Sequence, residues 1–310
     1  MRIIDTNFDR FQEVLRRLDL FAGALQCSLE NQKTSLSALA NIIERGRSNV
    51  VTSEYGLLNP EVGLLQHLYP YLQSRNALDV GAHVGDVSLR LLETGYTVYA
   101  FEPCPPIYER LTSRLQASDE FHGFPVAVGP QDASCQLHIA RDLSPGGTYK
   151  DSTLFSSLVQ HSMRKDLVFT DAIEVPVRSV DSLVRSGDIP AHFGVIKIDT
   201  EGYDLEVLRG MSLVECPVVV TEFWDRTLPF GQSGALNNLA DQVREMRTRG
   251  YLWYIVLYRI DGSYDISFYC NRPESLDNSW GNIVFVRDFE IFNRALHWCE
   301  ATIPRTYFRA

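Results

Sequence analysis

The sequence predicts an α/β protein organised around an open, mainly parallel sheet, with a separate helical element in front of it. Three observations lead there. From residue 77 onward, short apolar runs alternate with helical segments. Several of those runs end in a glycine or a carboxylate. The first 59 residues contain no proline and carry a helical seam. Strand and helix alternating at this spacing build a parallel sheet with helices on both faces.

Taken in order, the seam comes first. Ile4, Phe8, Phe11, Leu15, Leu18, Ala22, Leu25, Leu29, Gln32, Leu36, Leu39 and Ile43 recur at steps of four and three, and all but Gln32 are apolar. Val14, Phe21 and Ile42 widen the stripe, which suits a helical bundle better than a thin zipper. The polar stretch from Glu30 to Ser35 is a natural break into a hairpin, with Thr34 or Ser35 capping the second helix. Residues 1–59 therefore read as an N-terminal helical extension that packs on the core or joins copies into a homo-oligomer. Residues 60–310 read as the main domain.

In that domain Ala77–Gly81 is a buried strand, and Asp86–Glu93 a helix stopped by Gly95. Thr97–Glu102 and Pro105–Gln116 form the next strand and helix, and Phe124–Gly129 a third strand. Phe193–Asp199 is a fourth, followed by the helix Tyr203–Arg209 with its stop at Gly210. Pro217–Phe223, the helix Leu236–Arg249, and the strands Tyr251–Tyr258 and Ile283–Arg287 complete the series. An insertion spans 130–191. It reads as a hairpin at Gln136–Ala140, a loop at Ser144–Thr148 and an extended stretch at Glu174–Val177, placed to act as a lid or substrate wall.

Composition bounds the function. The 310 residues suit one large α/β domain with an appendage. Lys and Arg number 29 against 39 Asp and Glu, a net charge of −10, which argues against a nucleic-acid partner needing a basic footprint. No apolar run reaches the length of a membrane span, and no signal core opens the chain. The six cysteines are scattered, without a Cys-x-x-Cys pair, which predicts free thiols in a reducing, cytoplasmic setting.

Ligands of such sheets sit outside the carboxyl ends of the strands, so the residues there carry the chemistry. The first strand runs into Asp79-Val80-Gly81-Ala82-His83-Val84-Gly85-Asp86. Gly81 permits a sharp turn and close approach of a ligand, and Gly85 opens a helix whose free N–H groups favour an anionic group. His83 stands where a dinucleotide site wants its middle glycine. Asp79 suits a ligand carrying an ammonium group. Glu102 ends the second strand at the distance where an acid accepts both hydroxyls of a ribose. Together these point to an adenosine ligand. Asp199 and Glu201 leave the fourth strand, and Glu222 and Asp225 the fifth. Such a carboxylate cluster can hold a base, a divalent ion or a positive charge, and no metal ligands are assigned from it. Lys197, on the same strand face as Asp199, demands a carboxylate partner if buried.

The combination Asp-Val-Gly-Ala-x-x-Gly, Phe-Glu-Pro and Ile196-Lys-Ile-Asp-Thr-Glu-Gly-Tyr-Asp-Leu-Glu-Val-Leu-Arg-Gly210, with Glu174-Val-Pro-Val-Arg-Ser-Val-Asp-Ser-Leu183 before it, resembles the FkbM-type methyltransferases. The resemblance spans about residues 76–287. It implies a class I methyltransferase, Rossmann-like sheet of seven strands, six parallel and one antiparallel. The donor implied is S-adenosyl-L-methionine, leaving S-adenosyl-L-homocysteine, and the acceptor a hydroxyl on a saccharide, glycan or glycosylated natural product. It implies a donor site at Asp79, Gly81, Ala82, His83, Gly85, Ser88, Glu102, Pro103, Val126, Ala127 and Asp199.

Asp199, Glu201 and His83 are then the candidates for catalysis, although His83 stands where the family more often has Asn. Ser152, Glu222, Trp224 and Asp225 are the candidates for holding the acceptor, with Thr153, Ser156, Phe223 and Phe230 nearby. Three rival readings stay open from the residues: an NAD-dependent oxidoreductase, transfer to nitrogen or carbon of a peptide or small metabolite, and a non-catalytic scaffold.

Overall fold

A computed structural model describes residues 59–144, 151–160, 166–232, 237–263 and 265–303. The chain divides into two units, Met1–Glu54 and Tyr55–Ala310, and all described residues belong to the second. The helical seam of the first 59 residues, and the self-association predicted from it, lie outside the described residues, as does most of the Ser144–Thr148 loop.

The chain enters through α1 (Pro60–Leu68) and then alternates β1 (Asn76–Val80), α2 (Asp86–Thr94), β2 (Thr97–Phe101), α3 (Pro105–Leu115) and β3 (Phe121–Phe124). The insertion follows as β4 (Ala127–Val128), β5 (Ala133–Asp142), a 3-10 turn at Ser152–Phe155, and β6 (Leu167–Arg178). Beyond it come α4 (Val180–Ser186), β7 (Val195–Ile198), α5 (Asp204–Arg209), β8 (Val218–Trp224), α6 (Pro229–Gln232) and α7 (Leu239–Thr248). The last elements are β9 (Trp253–Ile260), β10 (Ser267–Cys270), β11 (Ser279–Val286) and α8 (Phe289–Thr302).

The main sheet has the order β10-β9-β11-β8-β7-β1-β2-β3. From β3 to β8 every pairing is parallel, β11 runs antiparallel to β8 and β9, and β10 antiparallel to β9. The expected set of six codirectional strands with one reversed is therefore present, and β10 extends it to eight. A second sheet of order β4-β6-β5 stands apart from it.

Two expectations are corrected here. The third strand is Phe121–Phe124, not Phe124–Gly129. The chain leaves the main sheet at Pro125, whose ring supplies no N–H for a ladder, and Ala127–Val128 joins β6 of the small sheet instead. The insertion is also more regular than expected: β5 and β6 pair antiparallel from Ala133–Val177 to Asp142–Leu167, with one irregularity between Ile139 and Ala140.

Apolar cores cover both faces of the main sheet. Alternation decides which face each side chain meets: Leu78, Val80, Ile196 and Ile198 lie in one core, while Ala77 and Val195 lie in the other, with Leu64, Leu65 and Leu68 of α1. A third cluster joins Cys104 and Ile107, at the start of α3, to Ala127, Leu137, Val175 and Val177 of the small sheet. That packing holds the small sheet beside the carboxyl ends of β1 and β2. No helix among the described residues is long and apolar enough to cross a membrane.

Candidate active site

The strand order changes direction between β1 and β7, the place where a parallel sheet leaves a crevice. Register then fixes the neighbours. Val80 lies opposite both Phe101 and Ile198, and Ile198 opposite Thr221. The next residue on each strand therefore falls in one row: Glu222, Asp199, Gly81, Glu102. Backbone bonds tie the row together, with Asp199 N donating to Val80 O at 2.9 Å and Gly81 N to Phe101 O at 3.0 Å. Gly81 has φ +81°, and a Cβ there would stand 1.9 Å from the Asp199 carbonyl oxygen. Only glycine fits this junction.

Glu102 is buried and oriented by the loops around it. His83 N donates to its Oε2 at 3.0 Å and Cys104 N to its Oε1 at 2.8 Å. Burial pushes its carboxyl up to about 7, against the pull of those two amides. His83 itself has φ 48°, which turns its amide toward Glu102.

Beneath the loop lies a buried charge network. Asp79 and Lys197 are register partners on the same sheet face. Lys197 Nζ donates to Asp199 Oδ2 at 2.7 Å, the carboxylate partner that a lysine in a buried strand demands. Burial opposes the charge on Lys197, but the Asp199 and Asp79 carboxylates outweigh it and hold the ammonium above its ordinary range. Asp79 Oδ2 accepts from the Ser88 hydroxyl at 2.6 Å, whereas its buried Oδ1 has no partner among the described residues. Burial raises the Asp79 carboxyl, against Lys197 and Ser88. Glu61 of α1 joins this network: burial raises its carboxyl, and the charge of Lys197 opposes the rise.

On the other side of Gly81, Asp199, Glu201 and Glu222 each bring an oxygen within 4.8 Å of the other two. Burial lifts the Glu222 carboxyl well above its ordinary range, and the charges of Glu201, Asp199 and Asp204 add to the rise. Asn237 Nδ2 reaches Glu222 Oε2 at 3.4 Å, and the Trp224 side chain also hydrogen-bonds that carboxyl.

The cavity above this row is lined by Gly81, His83, Glu102, Pro103, Val126, Ala127 and Asp199 from the predicted donor set, and by Glu201. Asp79, Ala82, Gly85 and Ser88 do not line it. They lie under the loop, where Asp79 and Ser88 hold each other and a Cβ at Gly85 would meet Leu111. Thr153, Ser156 and Ser157 of the insertion do line it, while Ser152 turns to the Ala140 carbonyl at 3.3 Å. Asp225 sits elsewhere in role. Its carboxylate accepts from Ser275 Oγ at 2.5 Å, Thr227 N at 3.0 Å and Asn278 N at 3.1 Å, and so pins the turns after β8 and before β11. Trp224 is buried edge-on against Phe230.

Residues missed by the sequence reading also shape the site. Cys104 and Ile107 form part of the cavity wall. Cys104 is placed there by its amide, which donates to the strand-end acid Glu102 two residues before it. Asp204, inside the quoted motif, is wholly buried and accepts from Thr200 N at 2.9 Å and Glu222 N at 2.7 Å, clamping β7 to β8. Burial pushes its carboxyl up to about 7.

Residues 79–252 match the Methyltransferase FkbM domain. The chain is 31% identical over 137 residues to the hexuronic acid methyltransferase AglP of Haloferax volcanii, covering 43% of this chain and 48% of that protein. It is 25% identical over 171 residues to Methyltransferase 1 of Beauveria bassiana, covering 50% of this chain and 63% of that one. The chain thus spans about half the length of the first of these relatives and under two thirds of the second. A solved O-methyltransferase from Bacillus cereus in complex with SAH superposes with a TM-score of 0.35 at 11% identity, over 82% of this chain and 90% of that one. The matched segment takes in every one of the four strand ends described above, and the chain belongs to the FkbM methyltransferase family.

Proposed function

We propose that this chain is an S-adenosyl-L-methionine-dependent O-methyltransferase acting on a hydroxyl of a saccharide, glycan or glycosylated metabolite. The observation that carries the reading is the row Glu222, Asp199, Gly81, Glu102 across four adjacent strand ends. Its residues fit the donor in kind. The Gly81 junction leaves no room for a side chain between the two central strands. Glu102 keeps acceptor capacity for ribose hydroxyls, since an ionised carboxylate offers about four lone-pair sites and two are used. Val126, Ala127 and Ile107 supply an apolar wall for a nucleobase. The saccharide class is supported by AglP, whose name describes it as a hexuronic acid methyltransferase.

When bound, the donor supplies a methyl group already activated on a sulfonium. The chain's own task is to hold a hydroxyl in line and take its proton. Asp199 is committed to Lys197 through Oδ2, so it orients rather than deprotonates. Glu201, in a left-handed conformation with φ 54° and facing the cavity, takes the proton. Glu222 beside it has its carboxyl lifted by burial and by the neighbouring charges of Glu201, Asp199 and Asp204, so a full set of three negative charges is disfavoured in the cluster. His83 has its Nε2 engaged with Thr153, which leaves the base role to the carboxylates. Family membership leaves the dehydrogenase reading without support.

Transfer of a labelled methyl group to glucuronic acid or a glucuronoside tests this. Glu201→Gln retains S-adenosylhomocysteine binding and loses roughly a hundredfold or more in turnover, the scale of a lost general base, and Asp199→Asn, which removes the orienting carboxylate, also lowers turnover. Full activity in both variants would remove the pair from the mechanism.

A further inference from the structure

The cavity lined by Gly81, Glu102 and Asp199, three of the four strand ends, measures about 60 Å³. Small-molecule sites need roughly 300 Å³ or more, so a nucleoside ligand does not fit behind the walls as they stand. One wall is the segment Asp151–Leu158 of the insertion, and its bonds run to both sides of the crevice. At one end Ser157 Oγ donates to the Glu201 carbonyl at 2.6 Å, while its backbone pairs with His138 of β5. At the other end His83 Nε2 lies 3.0 Å from Thr153 Oγ1.

The direction of that last bond follows from its neighbours. The Thr153 hydroxyl donates to Asp151 Oδ1, and a carboxylate only accepts. Thr153 Oγ1 must therefore receive its bond from His83 Nε2–H. Asp151 is in turn held by Arg110 of α3 at 2.9 Å. A relay His83–Thr153–Asp151–Arg110 thus fastens the insertion to the donor loop and to α3. The same His83 gives its backbone amide to Glu102, so the fastening shares a residue with the ribose end of the crevice.

We propose that Asp151–Leu158 is a strap across the donor crevice and that His83 and Thr153 are its latch, opening for the donor to enter and closing to retain it. His83 is then a positioning residue. The proposal rests on the donor reading given above. Opening the strap parts Thr153 from His83, Asp151 from Arg110, and Ser152 and Ser156 from Ala140, while the β5 pairing of Ser157 stays intact and serves as the pivot. Removing the latch raises the population of the open strap, which speeds entry and exit alike and moves affinity less than either rate. A residue that merely touched the donor would slow nothing on the way in, and its loss would raise the exit rate alone.

Association and dissociation rates of S-adenosylhomocysteine with the full chain test this. Thr153→Val removes the hydroxyl at nearly constant shape, and Thr153→Ser keeps it. The expected result is that both rates rise roughly three- to tenfold in Thr153→Val, the scale of one net hydrogen bond, while Thr153→Ser stays near the parent. Asp151→Ala, which cuts the relay one step further out, shifts both rates in the same direction and serves if the valine variant does not fold. An unchanged association rate in Thr153→Val and Asp151→Ala overturns the latch, as does an equal rise in Thr153→Ser. If the unaltered chain binds no S-adenosylhomocysteine, the donor reading falls and the latch with it.

Discussion

Lys197 shows how much a single side chain decides here. It is 3% exposed, on a strand whose other residues are apolar, and it answers to Asp199, Asp79 and Glu61. Removing one partner of a buried ionic network leaves uncompensated charge, which costs about 3–5 kcal/mol. Lys197→Met should therefore lose stability on that scale in urea unfolding at pH 7. Pairing it with Asp199→Asn should recover part of the loss, because fewer buried carboxylates are then left bare. A loss below about 1 kcal/mol in the single variant would contradict the network. Half of this was legible in the sequence. A lysine two positions before an aspartate on a buried strand announces its partner through the two-residue period. Glu61 was not legible, because α1 meets this face only through tertiary packing. The contact between His83 and Thr153 lies in the same category: each was a site candidate on its own, and neither has a local partner that would reveal the other.

At the scale of elements, the parallel core was readable and the periphery was not. Runs such as ALDVG and VIKID are buried on both faces, mostly apolar, and end in glycine or acid, which parallel burial produces directly. Helix stops at Gly95 and Gly210 were readable for the same local reason; Gly95 takes φ +109° as the end cap of α2. Strand β10 was missed because Ser267–Cys270 is an edge strand with mixed burial and no clean period. The split between β3 and β4 was missed because a continuous apolar run cannot say at which residue a chain changes sheets; Pro125 was the available cue. Gly210 serves a second purpose at this scale. A Cβ there would stand 2.1 Å from the Gly129 carbonyl oxygen, where the insertion begins. Gly210→Ala should therefore destabilise by about 1–3 kcal/mol through overpacking against backbone, and a thermal midpoint equal to the parent would show that the two loops do not meet.

Across the whole molecule, topology turns scattered letters into one site. Gly81, Glu102, Asp199 and Glu222 come from four strands distant in sequence, and register alone sets them side by side. Strong apolar runs made the candidate residues visible; their order across the sheet, and the insertion closing over them, required the fold. Charge acts at this scale too. Acidic groups crowd the crevice of a chain that carries a net −10, and burial lifts Glu102 to about 7. Ribose hydroxyls bond best to the ionised form, so deprotonation favours the donor. Free Glu102 is mostly protonated one unit below its pKa and mostly ionised one unit above, which makes donor affinity rise by roughly tenfold from pH 6 to pH 8. Calorimetric titration of the full chain with S-adenosylhomocysteine at both pH values tests the donor crevice most directly. One equivalent bound, with affinity rising toward pH 8 and that rise flattened in Glu102→Gln, is the predicted result. No binding at millimolar ligand, or binding indifferent to both pH and Glu102, would contradict it.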